Sequence, residues 1–285
     1  MGQPNPAGNP GGNPSTTAGG NKPAGEGGVI LKGMGIETPF TVMPNLQGFG
    51  PALPKWQSDP KSKLSGVFRV EDDKRIMNSG HYSWMVNILP FLGHQDVYDK
   101  FDFTKPMHDD NNFKYGLILI PEFLNPSDPR QRWKGYPMDG IALTHFVGMS
   151  GVEDSRNVVA GKLPRSDPRA GVFGLDKIAT PAEITDGLSQ TIMVVGSGEL
   201  VSPWIQGGGA TIRGAREPYF DKITGFGSKG KSGPMVLMAD GSIRQLSDKM
   251  DPAVFRAMCT IHGADTVDLS TTAPLATFDP PPPPK

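Results

Sequence analysis

Three carboxylates stand beside turn-forming residues and are the first candidates for chemistry. Asp128 lies in an Asn-Pro-Ser-Asp-Pro run, Asp186 precedes Gly187, and Asp240 precedes Gly241. A carboxylate in such a place accepts backbone N–H bonds and holds the turn, which is the favoured interpretation for all three. If the fold brought them together, they would instead form an acidic binding cleft.

A weaker candidate is a cation site near the middle of the chain. Asp102, Asp109 and Asp110 supply carboxylates, and Asn111 and Asn112 add amide oxygens. Hard cations such as Ca²⁺ take several oxygen ligands of these kinds. The run lacks EF-hand spacing and is typical of a solvated loop. We therefore expect no cofactor, with Ca²⁺ left open as an alternative.

Aromatic residues in predicted loops could contact a sugar. Trp133, Tyr136 and Trp204 all lie in such loops, and an exposed ring can stack on the face of a carbohydrate. The alternative is local packing against neighbouring prolines. Trp133 and Trp204 are the pair that we would expect to line an oligosaccharide site.

Residues that could catalyse a reaction are better explained as structural. His145 lies in a predicted strand, where a hydrogen-bonded core histidine is favoured, and His81 stands at a helix start. Cys259, the single cysteine, lies among apolar residues of a predicted helix and is expected to be a small buried hydrophobe. No Gly-X-Ser-X-Gly nucleophile pattern is present. The protein is therefore expected not to be an enzyme.

The glycines at 207–209 with Arg213 and Arg216 could suggest a phosphate loop. The spacing fails the Walker pattern, and no helix is predicted to follow. The segment 207–233 is instead predicted to be one long glycine-rich loop.

The composition limits the classes of protein that can carry these residues. Of 285 residues, 37 are Gly and 29 are Pro, which excludes a helical bundle because both residues disfavour helix interiors. A net charge of −1 gives no electrostatic basis for binding nucleic acid. One cysteine forms no intrachain disulfide. No apolar run is long enough to span a membrane, and no signal peptide is evident.

The excess of Gly and Pro is uneven and suggests four regions. Residues 1–28 are predicted to be a disordered tether, 29–80 an irregular lead-in, 81–270 a globular domain, and 271–285 a disordered proline-rich tail.

Within the domain, helical and strand patterns alternate with turns. Ser83 can cap a helix that Pro90 would kink or end, and a second short helix follows at 95–101. Strands are predicted at 144–149 and 190–195. Further signals are a capping box at Thr180, a 235–246 hairpin turning at Asp240-Gly241, and a helix beginning after Asp251. The fold class is therefore α+β: a mostly antiparallel sheet with short helices and long loops.

Several stretches in this order carry a family resemblance: 81–92 with 97–98, 125–128, 146–148, 171–174, 184–192 and 236–244. Together they resemble the large pilin-like family of unknown function that is expanded in planctomycete bacteria. Members begin with a pilin-type methylation helix and end with a processing-associated motif, His, nine residues and Asp-Gly. The resemblance covers roughly 81–262 and implies a pilin-like head.

This chain departs from the family pattern in three places. No apolar pilin-type helix is evident in residues 1–60, Asn125 stands where members have a cysteine, and Gly230 stands where the motif has its histidine. Roles that depend on that helix or that histidine are therefore not carried over.

The resemblance implies an exported protein of the periplasm or cell surface, similar to pseudopilins, whose partners are other envelope or pilus-like assembly proteins. A membrane would be contacted only through an anchor that this chain lacks. Some classifications treat members as solute-binding or transport proteins, so the alternative is a carbohydrate-binding module for uptake. A vacated apolar groove would favour the assembly role. A pocket lined by Trp133, Trp204 and acidic residues would favour binding, and a cleft with clustered His and carboxylates would favour an enzyme.

Overall fold

The fold is α+β, as predicted. The computed structural model of the chain describes residues 43–62, 66–68, 81–155, 158–221, 225–229 and 233–263. The predicted tether at 1–28, the predicted tail at 271–285 and Gly230 lie outside the described residues.

The described ranges contain short helices and strands joined by turns. The α-helices are α1 (Met43–Ser58), α2 (Trp84–Ile88), α3 (Gln95–Tyr98), α4 (Asp110–Gly116) and α5 (Pro252–Met258). The strands are β1 (Val67–Phe68), β2 (Tyr82–Ser83), β3 (Leu143–Thr144), β4 (Phe146–Val152), β5 (Ile192–Gly196), β6 (Ser202–Pro203), β7 (Ile212–Ala215), β8 (Met235–Met238) and β9 (Ile243–Gln245). Ser83 caps α2 and Asp251 caps α5, which confirms both predicted helix starts.

The central sheet has five strands in the order β7-β4-β5-β8-β9. β4 pairs with β5, β5 with β8 and β8 with β9 in antiparallel fashion, whereas β7 runs parallel to β4. The predicted buried strand at 190–195 is β5, and the predicted hairpin is β8–β9. Gly241 has φ 86°, the left-handed conformation that this turn requires.

Both faces of the sheet are buried. Val194 and Leu237 face one apolar cluster together with α1 and α2, while Val195 and Val236 face a second cluster that contains Phe255 of α5. Successive strand side chains point to opposite faces. The nearly unbroken apolar sequence of β5 follows, because neither face meets solvent.

The helix α1 corrects the predicted irregular lead-in across 29–80. Met43–Ser58 is helical although it contains Pro51 and Pro54, both of which are exposed. The opposite side of the helix is buried through Leu46, Phe49, Ala52, Leu53 and Trp56. A proline in a helix interior costs about 3 kcal/mol, and for that reason the sequence predicted no helix here. Burial of an apolar helix face in the tertiary core outweighs the propensity.

Two further features of the sheet were not evident from the sequence. β7 lies inside the segment 207–233 that was predicted to be a loop, so that prediction was wrong for Ile212–Ala215. Gly148 of β4 lies under the ring of Phe173, and a Cβ at Gly148 would come within 2.5 Å of the ring carbon Cγ. Two of the motif stretches that carry the family resemblance are therefore direct packing partners.

Candidate functional site

Asp128 holds a turn and anchors an arginine. Its Oδ1 accepts bonds from the Arg130 backbone N–H and from Arg130 Nε, both at 2.9 Å, and its Oδ2 accepts from Arg130 Nη2 at 2.5 Å. The side chain is 1% exposed. Burial raises the pKa of Asp128, but the hydrogen bonds from Arg130 and the charge of that guanidinium help to outweigh it, so the pKa lies below its usual value. The carboxylate is ionised and committed to Arg130.

His145 lies beside this carboxylate in the core. Its Nδ1 accepts the Asn125 backbone N–H at 2.9 Å, and its Nε2 is 3.7 Å from Asp128 Oδ2. Burial lowers the pKa of His145 against the opposing effect of Asp128, so the ring is neutral at pH 7. The predicted core histidine is thus confirmed. The His145 ring lies next to the Asp128 carboxylate, but both side chains are buried and neither lines the cavity described below.

Asp186 and Asp240 likewise hold backbone turns, as predicted. Asp186 Oδ2 accepts the Gly263 N–H at 2.7 Å, which ties the Asp186-Gly187 turn to the residues after α5. Asp240 Oδ1 accepts both the N–H and the hydroxyl of Ser242, at 2.9 and 2.6 Å. The two carboxylates therefore serve different turns.

The three carboxylates do not form an acidic cleft. Each accepts bonds from its own turn or from a neighbouring segment, and none of them lines the large cavity described below. The structural interpretation of Asp128, Asp186 and Asp240 is the one that their geometry supports.

The acidic run near α4 has structural contacts of its own. Asp109 caps α4 by accepting the Asn111 N–H, and Asp102 accepts the N–H and hydroxyl of Thr104. The hydrogen bonds of Asp102 lower its pKa. The described residues contain no group of three or more His, Cys, Asp or Glu side chains arranged to hold a metal ion. Asp102, Asp109 and Asp110 are therefore not gathered into one such group.

The predicted stacking pair of tryptophans is not formed. Trp204 is fully buried, and its Nε1 donates to the Ile118 carbonyl at 3.1 Å, so it belongs to the core and has no exposed ring face on which a sugar could stack. Trp133 is 36% exposed and Tyr136 is 97% exposed. The prediction for Trp204 was wrong because the sequence placed it in a loop without showing that the loop is covered.

Cys259 is a buried thiol, as predicted. Its Sγ lies 3.1 Å from the Phe255 carbonyl oxygen, and burial raises its pKa well above the usual value. A nucleophilic cysteine needs the opposite shift, toward a thiolate.

A large cavity lies elsewhere, beside the edge strand β7. Its volume is about 840 Å³, within the range of small-molecule sites, roughly 300–1,000 Å³. Its wall combines the glycine turn at 207–209 with Arg213 and Arg216, and with Lys162 and Phe226 from other segments. We call this space the Arg213 cavity.

Arg213 is the charged group held most firmly in the wall. Its Nη1 donates to the Ser197 carbonyl at 3.1 Å and its Nη2 to the Leu200 carbonyl at 2.8 Å. Burial lowers the pKa of Arg213 to about 10, which still leaves it charged at pH 7. The sequence places the glycines near Arg213 and Arg216, but their spacing does not match a phosphate loop. The glycines and the two arginines could be linked to one site because they are close in sequence. Nothing in the sequence indicated that Lys162 and Phe226 line the same cavity.

Comparison with known proteins identifies a family. A family model labelled SBP_bac_10 and described as a protein of unknown function (DUF1559) matches residues 45–210. The matched segment begins inside α1 and ends just before β7. No curated protein and no solved structure matches the chain significantly. Within the part of the chain that the structure describes, no helix combines the length and apolar character needed to cross a membrane.

Proposed function

The chain belongs to the DUF1559 family of proteins of unknown function, and on this premise we propose that it is a non-catalytic, pilin-like structural or assembly protein. We propose that the protein acts outside the cytoplasm, in the periplasm or at the cell surface. Its partners would be other envelope or pilus-like assembly proteins.

The observation that carries this proposal is the packing of α1. Among the described residues, α1 precedes every strand of the sheet and is buried against the aromatic residues on one sheet face. Phe49 packs on Trp84 and Phe123 at ring distances of 5.9 and 5.7 Å. A helix that precedes an antiparallel sheet and lies on it is the arrangement that a pilin-like head implies. The vacated apolar groove that would have favoured this role is not found among the described residues, because α1 covers this face, so the proposal rests on the packing of the helix instead.

The contact between α1 and the Asp-Gly turn supports the same proposal. A Cβ on Gly50 of α1 would lie 3.2 Å from the carbonyl oxygen of Gly241. The helix and the motif turn of the β8–β9 hairpin are therefore close neighbours.

The non-catalytic part of the proposal rests on how the reactive side chains are used. The Cys259 thiol is buried, and His145 and Asp128 are enclosed with Asn125 and Arg130. General acid–base catalysis needs a group within hydrogen-bond reach of a substrate proton. An activity-based probe that labelled Cys259 in the folded protein would argue against this assignment.

Cell fractionation with crosslinking tests the assembly role. A photo-crosslinking residue is placed at Tyr136, which is 97% exposed, and the control position is Lys249, also exposed. We expect the protein in the envelope fraction, with Tyr136 crosslinking to envelope proteins in a pattern distinct from that at Lys249. A protein found in the cytosol, with no crosslinks from either position, would refute the proposal.

A second candidate function is solute binding for uptake, and the Arg213 cavity is the observation that favours it. Ligand sites are concave and combine apolar walls with a few placed polar groups. Val159 and Leu200 line the cavity although they are 48% and 45% exposed. Calorimetry against a panel of neutral and acidic solutes tests this candidate. Heat of binding from at least one solute is expected, and none from any solute would exclude it.

A further inference from the structure

The Arg213 cavity has a distinctive balance of charge. Three cationic side chains line it, Lys162, Arg213 and Arg216, against the acids Glu153 and Asp176. Arg216 and Glu153 neutralise each other, since Nη2 of the first lies 2.6 Å from Oε2 of the second. The charges that remain are the positive Lys162 and Arg213 and the negative Asp176. His81 also lines the cavity. The cavity therefore carries a small excess of positive charge.

The charge of Arg213 is held in place by neutral groups. Both guanidinium bonds go to backbone carbonyls, those of Ser197 and Leu200, and no carboxylate of the described residues forms an ion pair with it. Arg130 and Arg169, by contrast, each pair with a carboxylate. A half-buried charge without a counter-charge is costly, and a bound anion would remove that cost. Arginine also presents a planar fork that matches a carboxylate.

The floor of the cavity is free of side chains. A Cβ at Gly208 or Gly209 would meet no heavy atom within 4 Å, so a ligand can approach the backbone there. Gly208 has φ 75°, a conformation that suits glycine, whereas Gly209 lies outside that range. A side chain introduced at Gly209, in the wall of the cavity, would therefore have room and would not strain the backbone.

The rest of the wall mixes apolar and hydrogen-bonding surface. Val159, Leu200 and Phe226 provide apolar area, and Ser150 and Gln206 provide polar groups. Such a lining suits a molecule with an apolar framework that also carries hydroxyl or amide groups.

We propose that the Arg213 cavity binds a small organic carboxylate whose acid group contacts the Arg213 guanidinium and whose body lies over the 207–209 turn. This inference rests on the solute-binding candidate and names its ligand class. Sugar acids and acidic peptides share the required chemistry.

Calorimetry on the full chain distinguishes these sources. The probes are trigalacturonate against neutral galactotriose, and Ala-Ala-Glu against Ala-Ala-Gln. We expect one acid to bind at least tenfold more tightly than its neutral partner, with affinity falling as salt is raised. An acid and its neutral partner that bind equally would overturn the carboxylate inference and leave solute binding standing. Absence of binding by every probe would overturn the carboxylate inference, while the wider solute panel decides whether solute binding falls with it.

Variants locate the binding site. Gly209→Phe adds bulk to the wall of the cavity and should weaken binding at least tenfold, while Ala182→Phe, at an exposed position, is the matched control and should bind normally. Arg213→Gln should weaken acid binding at least tenfold without changing the affinity for the neutral partner. Arg213→Lys keeps the charge and should show an intermediate loss if Arg213→Gln fails to fold. Unchanged acid binding in folded Arg213→Gln protein would place the site elsewhere and refute the proposal.

Discussion

Trp56 gives the sharpest test of whether α1 is a structural part of the head. The side chain is fully buried and stacks on Trp84 at a ring distance of 6.1 Å. A buried tryptophan removes about 200 Å² from water, which at about 25 cal/mol per Å² is about 5 kcal/mol. Its Nε1 is buried and finds no hydrogen-bond partner among the described residues, and truncation relieves a penalty of about 1–2 kcal/mol. Trp56→Ala should therefore lower the free energy of unfolding by about 3–4 kcal/mol.

Urea denaturation followed by far-UV circular dichroism measures this loss without relying on the deleted fluorophore. Lys55→Ala, one residue away on the exposed side of α1, is the control and should change stability by less than about 0.5 kcal/mol. Trp56→Phe should cost much less than Trp56→Ala, because the ring remains and the unpaired N–H is gone. A loss below about 1 kcal/mol for Trp56→Ala would refute the placement of α1 in the core.

Three further predictions follow from the packing and the buried charges. Gly148→Ala should destabilise the protein by about 1–3 kcal/mol because the added Cβ overlaps the Phe173 ring. In thermal melts, adding Phe173→Leu to Gly148→Ala should relieve part of this cost. If the two single variants lose stability additively in the double variant, the contact is contradicted. Asp128→Asn should cost about 2 kcal/mol in urea titrations, because the buried charge that Arg130 binds is lost, whereas an unchanged midpoint would count against the pair. Acid should destabilise the fold, because the pKa values of His145 and Asp128 are lower in the folded protein than in the unfolded chain. The unfolded state therefore takes up more protons as the pH falls. The free energy of unfolding should decrease below about pH 6.5, where the unfolded histidine protonates, and again below about pH 4, where the unfolded aspartate does. The decline between pH 7 and 5 should be shallower in His145→Gln, and an identical slope would exclude His145 as its source.

Local signals in the sequence were sufficient for the elements whose ends are chemically marked. Ser83 and Asp251 cap their helices, and Asp240-Gly241 turns the hairpin, because a cap or a tight turn is decided by a few adjacent residues. The apolar run of β5 predicted a buried strand for the same reason. The structural roles of His145 and Cys259 also followed from their apolar neighbours in sequence.

Contacts between distant segments decided the rest. α1 is helical despite two prolines because its apolar face is covered by residues far along the chain, and no local window contains that information. Trp204 is buried because Ile118 and other remote residues enclose it.

The sequence by itself determined the α+β class and the turns. It also indicated that Asp128, Asp186 and Asp240 accept hydrogen bonds from the backbone of their turns. Only the tertiary structure decided where a ligand could bind. The glycine turn at 207–209 and Arg213 are close in sequence, but Lys162 and Phe226 reach the same cavity from other segments. A cavity exists only when separate segments pack around an empty space, and its charge is the sum of groups that the chain order does not bring together.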